Sequence, residues 1–161
     1  MKRTVAASSE TAAGRDEFPH SSARAAVVAV VRGYGAVQRQ MEPYFARFGL
    51  TPPQFQVLTI INQLRSQEPT QRRLGRELYV SFPNVTVMLG RLEEAGLIRR
   101  RSNPEDRRQK FVTLTRRGLA LLQRIWQGHQ QQLDEVMAGL AAAEQVELTR
   151  LLNKMISQKS E

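Results

Sequence analysis

The sequence predicts a mainly α-helical fold that carries one small β-hairpin. Three observations lead there. Apolar residues recur at helical spacing along most of the chain beyond residue 24. Between Thr70 and Ala95, two short helical patterns meet across the tight turn Tyr79-Val80-Ser81. Lys110 to Leu114 alternates sides as a strand does, and a polar turn separates it from a first arm at Leu97 to Arg101.

The elements follow in order. Residues 1 to 22 are rich in Ala, Ser, Thr and charge, show no periodicity and read as a flexible arm. From Ala25 to Phe48, apolar residues fall at 27, 30, 31, 34, 37, 41, 44, 45 and 48, which spaces them along one helix. Gly33 and Gly35 weaken it by about 1 kcal/mol each relative to Ala. Pro43 is expected to bend it or break it near its end, with Gly49 as the stop. The next helix has an explicit start. Thr51 can cap it, Pro52 suits the first helical position, and Gln54 completes a Thr-x-x-Gln capping box. Its inward stripe is Phe55, Leu58, Ile61 and Leu64.

Thr70 can cap a third, short helix that turns Leu74 and Leu78 inward. The fourth helix runs from about Phe82 to Ala95. It places Val85, Met88, Leu89 and Leu92 on one face and Asn84, Val87 and Arg91 on another, with Gly96 as its stop. After the hairpin, whose turn at Ser102 to Arg108 is strongly basic, Thr115 caps a long helix over about 116 to 138. A last helix covers about 143 to 157, leaving a tail at 158–161. The organisation is therefore an arm at 1–22, a helix at 23–50, a compact lobe at 51–115 and two helices at 116–157. The outer helices carry wider apolar faces than so small a chain can cover, and pairing with a second copy is the natural way to bury them.

Composition narrows the function. No stretch of the 161 residues approaches the roughly 18 consecutive apolar residues of a membrane span, and no signal-peptide pattern opens the chain. The expectation is a soluble, cytoplasmic protein. The absence of cysteine rules out disulfides, thiolate metal sites and cysteine nucleophiles, and two histidines, His20 and His129, make a histidine-rich metal site improbable. No phosphate loop, serine elbow or metal-spaced cluster points to an enzyme or a cofactor, and the adjacent Glu93 and Glu94 face different ways on their helix. The net charge of +9 is concentrated: Thr70 to Gly118 holds twelve Lys/Arg against five Asp/Glu. A focused basic patch suits a polyanion.

Three segments carry a family resemblance: L-T-P-P-Q-F-Q-V-L at 50–58, V-T-x-x-x-x-x-L-E-x-x-G-L-I at 85–98, and R-x-N-P-E-D-R-R-Q-K-F-V-T-L-T-R-R-G at 101–118. In this order and spacing they resemble the MarR family of bacterial transcriptional regulators, over nearly all of residues 25 to 157. The resemblance implies a winged helix-turn-helix lobe between N- and C-terminal dimerisation helices. It also implies a homodimer, a repressor or activator, astride a pseudo-palindromic site on double-stranded DNA. Many relatives release DNA on binding a small aromatic or phenolic compound.

In that setting the fourth helix enters the major groove, with Ser81, Asn84, Thr86, Val87 and Arg91 as outward candidates. Gln71, Arg72 and Arg73 at the start of the third helix would meet phosphates. Arg107 and Arg108 at the hairpin tip would enter a minor groove, and the resemblance implies that Asp106 orients the neighbouring arginine of the Asp-x-Arg tip. Where many relatives carry Arg after the Val-Thr pair, this chain has Val87, and Gly90 in mid-helix has no evident reason. The resemblance places an effector cleft between the first, second and long C-terminal helices, with Tyr34, Phe55, Trp126 and His129 as candidate lining. Aromatic residues at helical spacing are more often plain core. The alternative is a winged-helix protein-interaction module without DNA binding, against which the arginine run from 99 to 108 argues.

Overall fold

The computed structural model describes residues 21–104, 106 and 109–157. The N-terminal arm, the tail, and Glu105, Arg107 and Arg108 of the hairpin tip lie outside them. The described elements are helices α1 (Ser22–Ala46), α2 (Pro52–Gln63), α3 (Gln71–Glu77) and α4 (Phe82–Glu94), strands β1 (Ile98–Ser102) and β2 (Lys110–Leu114), and helices α5 (Arg116–Met137) and α6 (Ala142–Ser157). A short 3-10 turn at Arg65–Gln67, not expected from the sequence, leads from α2 to α3. No described helix is long and apolar enough to cross a membrane.

The chain divides into two units, the second beginning at Gly35. The first contains the N-terminal half of α1, where Val27, Val28, Val31 and Tyr34 are exposed. In the second, α1 continues through Pro43 without interruption and ends three residues later at Ala46. The stop is local chemistry. Gly49 takes the left-handed conformation at φ 70°, and the Leu50 amide donates back to the Phe45 carbonyl at 3.2 Å.

Three threonines begin three helices as expected. Thr51 and Gln54 form a complete capping box on α2, Thr70 accepts from the Arg73 amide on α3, and Thr115 accepts from the Gly118 amide on α5. The core they surround is continuous: Leu58 and Ile61 of α2, Leu74 of α3, Val85, Leu89 and Leu92 of α4, Ile98 and Val112 of the hairpin, and Leu122 and Ile125 of α5. Burial of each such side chain stabilises the fold by roughly 1.5–3 kcal/mol. The Tyr44 hydroxyl donates to the Ile125 carbonyl, tying the end of α1 to the middle of α5.

Strands β1 and β2 are antiparallel, with Ile98 opposite Leu114, Arg100 opposite Val112 and Ser102 opposite Lys110. The outer edge of β2 is not left open. The Val112 amide donates to the Pro69 carbonyl at 2.9 Å, and Thr70 bridges to Phe111, which satisfies edge groups that would otherwise invite another strand. The hairpin then feeds directly into α5. Leu97 accepts from the Thr115 amide at 3.0 Å, and the Thr115 hydroxyl lies 2.7 Å from the Gly96 carbonyl oxygen and 3.2 Å from that of Leu97. At the far end of the chain α6 buries none of its residues. Val146, Leu148, Leu151, Met155 and Ile156 stay exposed along it.

Candidate nucleic-acid interface

Helices α3 and α4 pack through a close approach at Gly75, where an added methyl would stand 3.4 Å from the Val85 side chain and 3.5 Å from the Val80 carbonyl oxygen. Between them Tyr79 adopts a left-handed φ of 53°, uncommon for a residue with a side chain. The turn is closed by the Val80 amide donating to Gly75 at 3.2 Å. This reversal leaves Tyr79 86% exposed and sets the first turn of α4 outward.

Helix α4 has two opposed faces. Val85, Leu89 and Leu92 are buried in the core. Ser81, Asn84, Val87 and Arg91 are exposed, as are Phe82 and Pro83. Ser81 is the N-cap residue, yet its side chain makes no capping hydrogen bond.

Thr86 is exposed as expected, but Gln71, expected to face phosphates, is turned inward and engages it. Gln71 is buried, and its amide donates to the Thr86 hydroxyl at 2.5 Å. That hydroxyl donates in turn to the Phe82 carbonyl at 2.9 Å. The cause is the strand bridge beside it. With Thr70 held against Phe111, the next residue is turned toward α4 rather than toward solvent. Arg72 is exposed, and Arg73 is half-buried beside Glu77, at 3.7 Å.

The arginine run on β1 divides by role. Arg99 is exposed. Arg100 is clamped to Glu93 of α4: its backbone amide donates to Glu93 Oε1 at 2.8 Å and its Nε to Oε2 at 2.7 Å. These bonds from Arg100 hold the Glu93 carboxyl below its ordinary range, and partial burial opposes them only in part. Arg101 pairs with Glu68 and lies over the Phe111 ring, 5.0 Å from its centroid. Sequence reasoning counted all three as basic surface and missed both pairings, whose acidic partners lie seven and 33 residues away.

At the hairpin tip, Asp106 is half-buried and accepts from the Gln109 side chain at 3.0 Å. The Gln109 amide also donates to the Asp106 carbonyl at 2.9 Å. Asn103 is buried, and its amide donates to Gln109 at 3.0 Å. These bonds join the described residues on the two sides of the tip.

The candidate effector residues separate. Phe55 stacks on Phe45 with centroids 4.5 Å apart and lies 5.0 Å from His129. Burial among these rings keeps the His129 imidazole below its usual pKa. Trp126 is 41% exposed and belongs to the outer face of α5. Tyr34 lies in the first unit and is exposed. No metal-ligating cluster occurs among the described residues.

Comparison with known proteins agrees with this geometry. The MarR family model matches residues 50–110, from the start of α2 to the hairpin. The chain is 27% identical over 128 residues to the HTH-type transcriptional regulator MhqR of Bacillus subtilis, covering 80% of this chain and 87% of that protein. It is 31% identical over 106 residues to the HTH-type transcriptional regulator YkoM of the same organism, covering 66% of this chain and 68% of that one. Among solved structures, a mutant MarR from E. coli complexed with operator DNA superposes with a TM-score of 0.73 at 28% identity, over 84% of this chain and 99% of that one.

Proposed function

The chain belongs to the MarR family of transcriptional regulators, and from that premise we propose that it binds double-stranded DNA as a homodimer and represses transcription at a pseudo-palindromic operator in the cytoplasm. One observation carries the reading. α4 is anchored by Val85, Leu89 and Leu92 and offers Asn84, Val87 and Arg91 to the outside at helical offsets of three and four. A helix so held can enter a major groove, where Asn pairs with adenine and Arg with guanine. Arg72 and Arg73 meet phosphates beside it. Arg107 and Arg108 at the wing tip reach a minor groove, with Asp106 fixing the turn that carries them.

The dimer follows from α6, whose exposed Val146, Leu151, Met155 and Ile156 have a second copy of the same helix as their natural cover. The two lobes then face half-sites about one helical turn apart. A small aromatic or phenolic effector is assigned to the region of Phe55 and His129, on the support of the rings gathered around His129. The chain acts by binding and not by catalysis.

The test is selection of genomic fragments on the purified full chain at low salt, with the particle mass measured in parallel. The expected result is a shared two-fold-symmetric sequence bound by a dimer. Retention of a protein partner with no enriched duplex would favour an interaction module instead.

A further inference from the structure

The face of α4 directly opposite its buried stripe is the line Pro83, Val87 and Gly90, at offsets of four and seven. Over these three positions it carries no long polar side chain; the exposed Glu94 continues the line only at the C-terminal end of the helix. Pro83 is exposed and Val87 is 55% exposed. A methyl group placed on Gly90 would meet nothing within 4 Å, and the φ of Gly90 is not positive. The fold therefore gives no reason for a glycine there. Neither a close contact nor a backbone conformation requires it, and it lowers helix propensity. Asn84 and Arg91 flank the line and supply the polar contacts.

We propose that Pro83, Val87 and Gly90 form a close-approach surface that seats α4 deep in the major groove and reads the C5-methyl groups of thymine. The proposal rests on the DNA-binding reading above and specifies what that site recognises. A bare α-carbon lets the helix backbone come near the base edges. Val87 then packs on thymine methyls, the one apolar feature of the groove. Specificity at the centre of each half-site comes from shape and methyl contact, and the flanking Asn84 and Arg91 read their bases through hydrogen bonds.

The test begins with random-sequence duplexes selected on the purified full chain. Recovered half-sites are expected to share thymine at one or more central positions. Replacing those thymines with uracil removes the methyl alone and should weaken binding roughly fourfold per group, the transfer value of one buried carbon. Val87→Ala should bind thymine and uracil duplexes equally. Gly90→Ala should raise Tm by a few degrees and yet weaken binding roughly tenfold, as overpacking at a tight contact does.

Four results would overturn the inference: no central thymine, uracil duplexes bound as well as thymine ones, a Val87→Ala variant that still distinguishes them, or a Gly90→Ala variant that binds normally or is less stable. Failure to recover any duplex would overturn the DNA-binding reading itself, a distinct outcome.

Discussion

Gly118 lies so close to Leu97 that a methyl on its α-carbon would stand 2.0 Å from the Leu97 carbonyl oxygen and 3.0 Å from the carbonyl carbon. No side chain fits, and the obstacle is main chain that already holds the Thr115 amide. This contact joins the hairpin to α5. It is the reason the motif ends in glycine.

Gly118→Ala is expected to cost about 3 kcal/mol, because the overlap is with backbone that cannot rotate away. The urea midpoint of the purified variant measures it. A midpoint equal to that of the parent chain would show that the junction yields.

The Glu93–Arg100 clamp makes an acid-sensitive contribution. Its folded carboxyl titrates below the usual value of 4.5, so the contribution is complete above that pH. It is lost as the pH falls through the lower, folded value. The stability gap between parent and Glu93→Gln should be widest near neutrality and close in acid. A gap independent of pH removes the clamp from the explanation.

His129 works in a higher window. Burial holds its folded pKa below 6.5, so the unfolded chain takes up the proton first. Stability is unimpaired above about pH 6.5 and declines as the pH drops from there toward the folded value. Replacing His129 with Phe should flatten the curve across that window. Parallel curves for the two proteins would contradict the assignment.

The wing is tested by affinity. Arg108→Ala should weaken binding of a selected duplex about tenfold or more, with the dimer intact, if the guanidinium enters a narrow minor groove. In the parent chain, neutralising about ten phosphates per dimer gives a slope near −9 of log affinity on log salt. Unchanged affinity in the variant would leave the wing without a role, and a flat salt response would remove the phosphates.

The parts that could be read in advance share a short range. Thr51, Thr70 and Thr115 cap helices through amides three residues on, and Gly49 and Gly96 end helices through their own φ of 70°. Each is local chemistry that a linear pattern displays. What could not be read depends on packing across the chain. Gln71 looks like any polar residue at a helix start until α4 brings Thr86 against it. Arg100 looks like its neighbours until Glu93 takes two of its donors. Asn103 is legible as a turn residue, but its burial is not. At the candidate site, Asn84, Thr86, Val87 and Arg91 were legible as exposed because helical periodicity sorts one face from the other, whereas the engagement of the Thr86 hydroxyl by Gln71 was not.

The bonds from Arg100 to Glu93 and from Gln71 to Thr86 weld the reading helix to the wing on one side and to its supporting helix on the other. A displacement of any one of these elements is therefore expected to be carried to the other two. If α3, α4 and the hairpin do move as one body, a ligand that lowers DNA affinity should lower it for every sequence in the same proportion, leaving base preference unchanged.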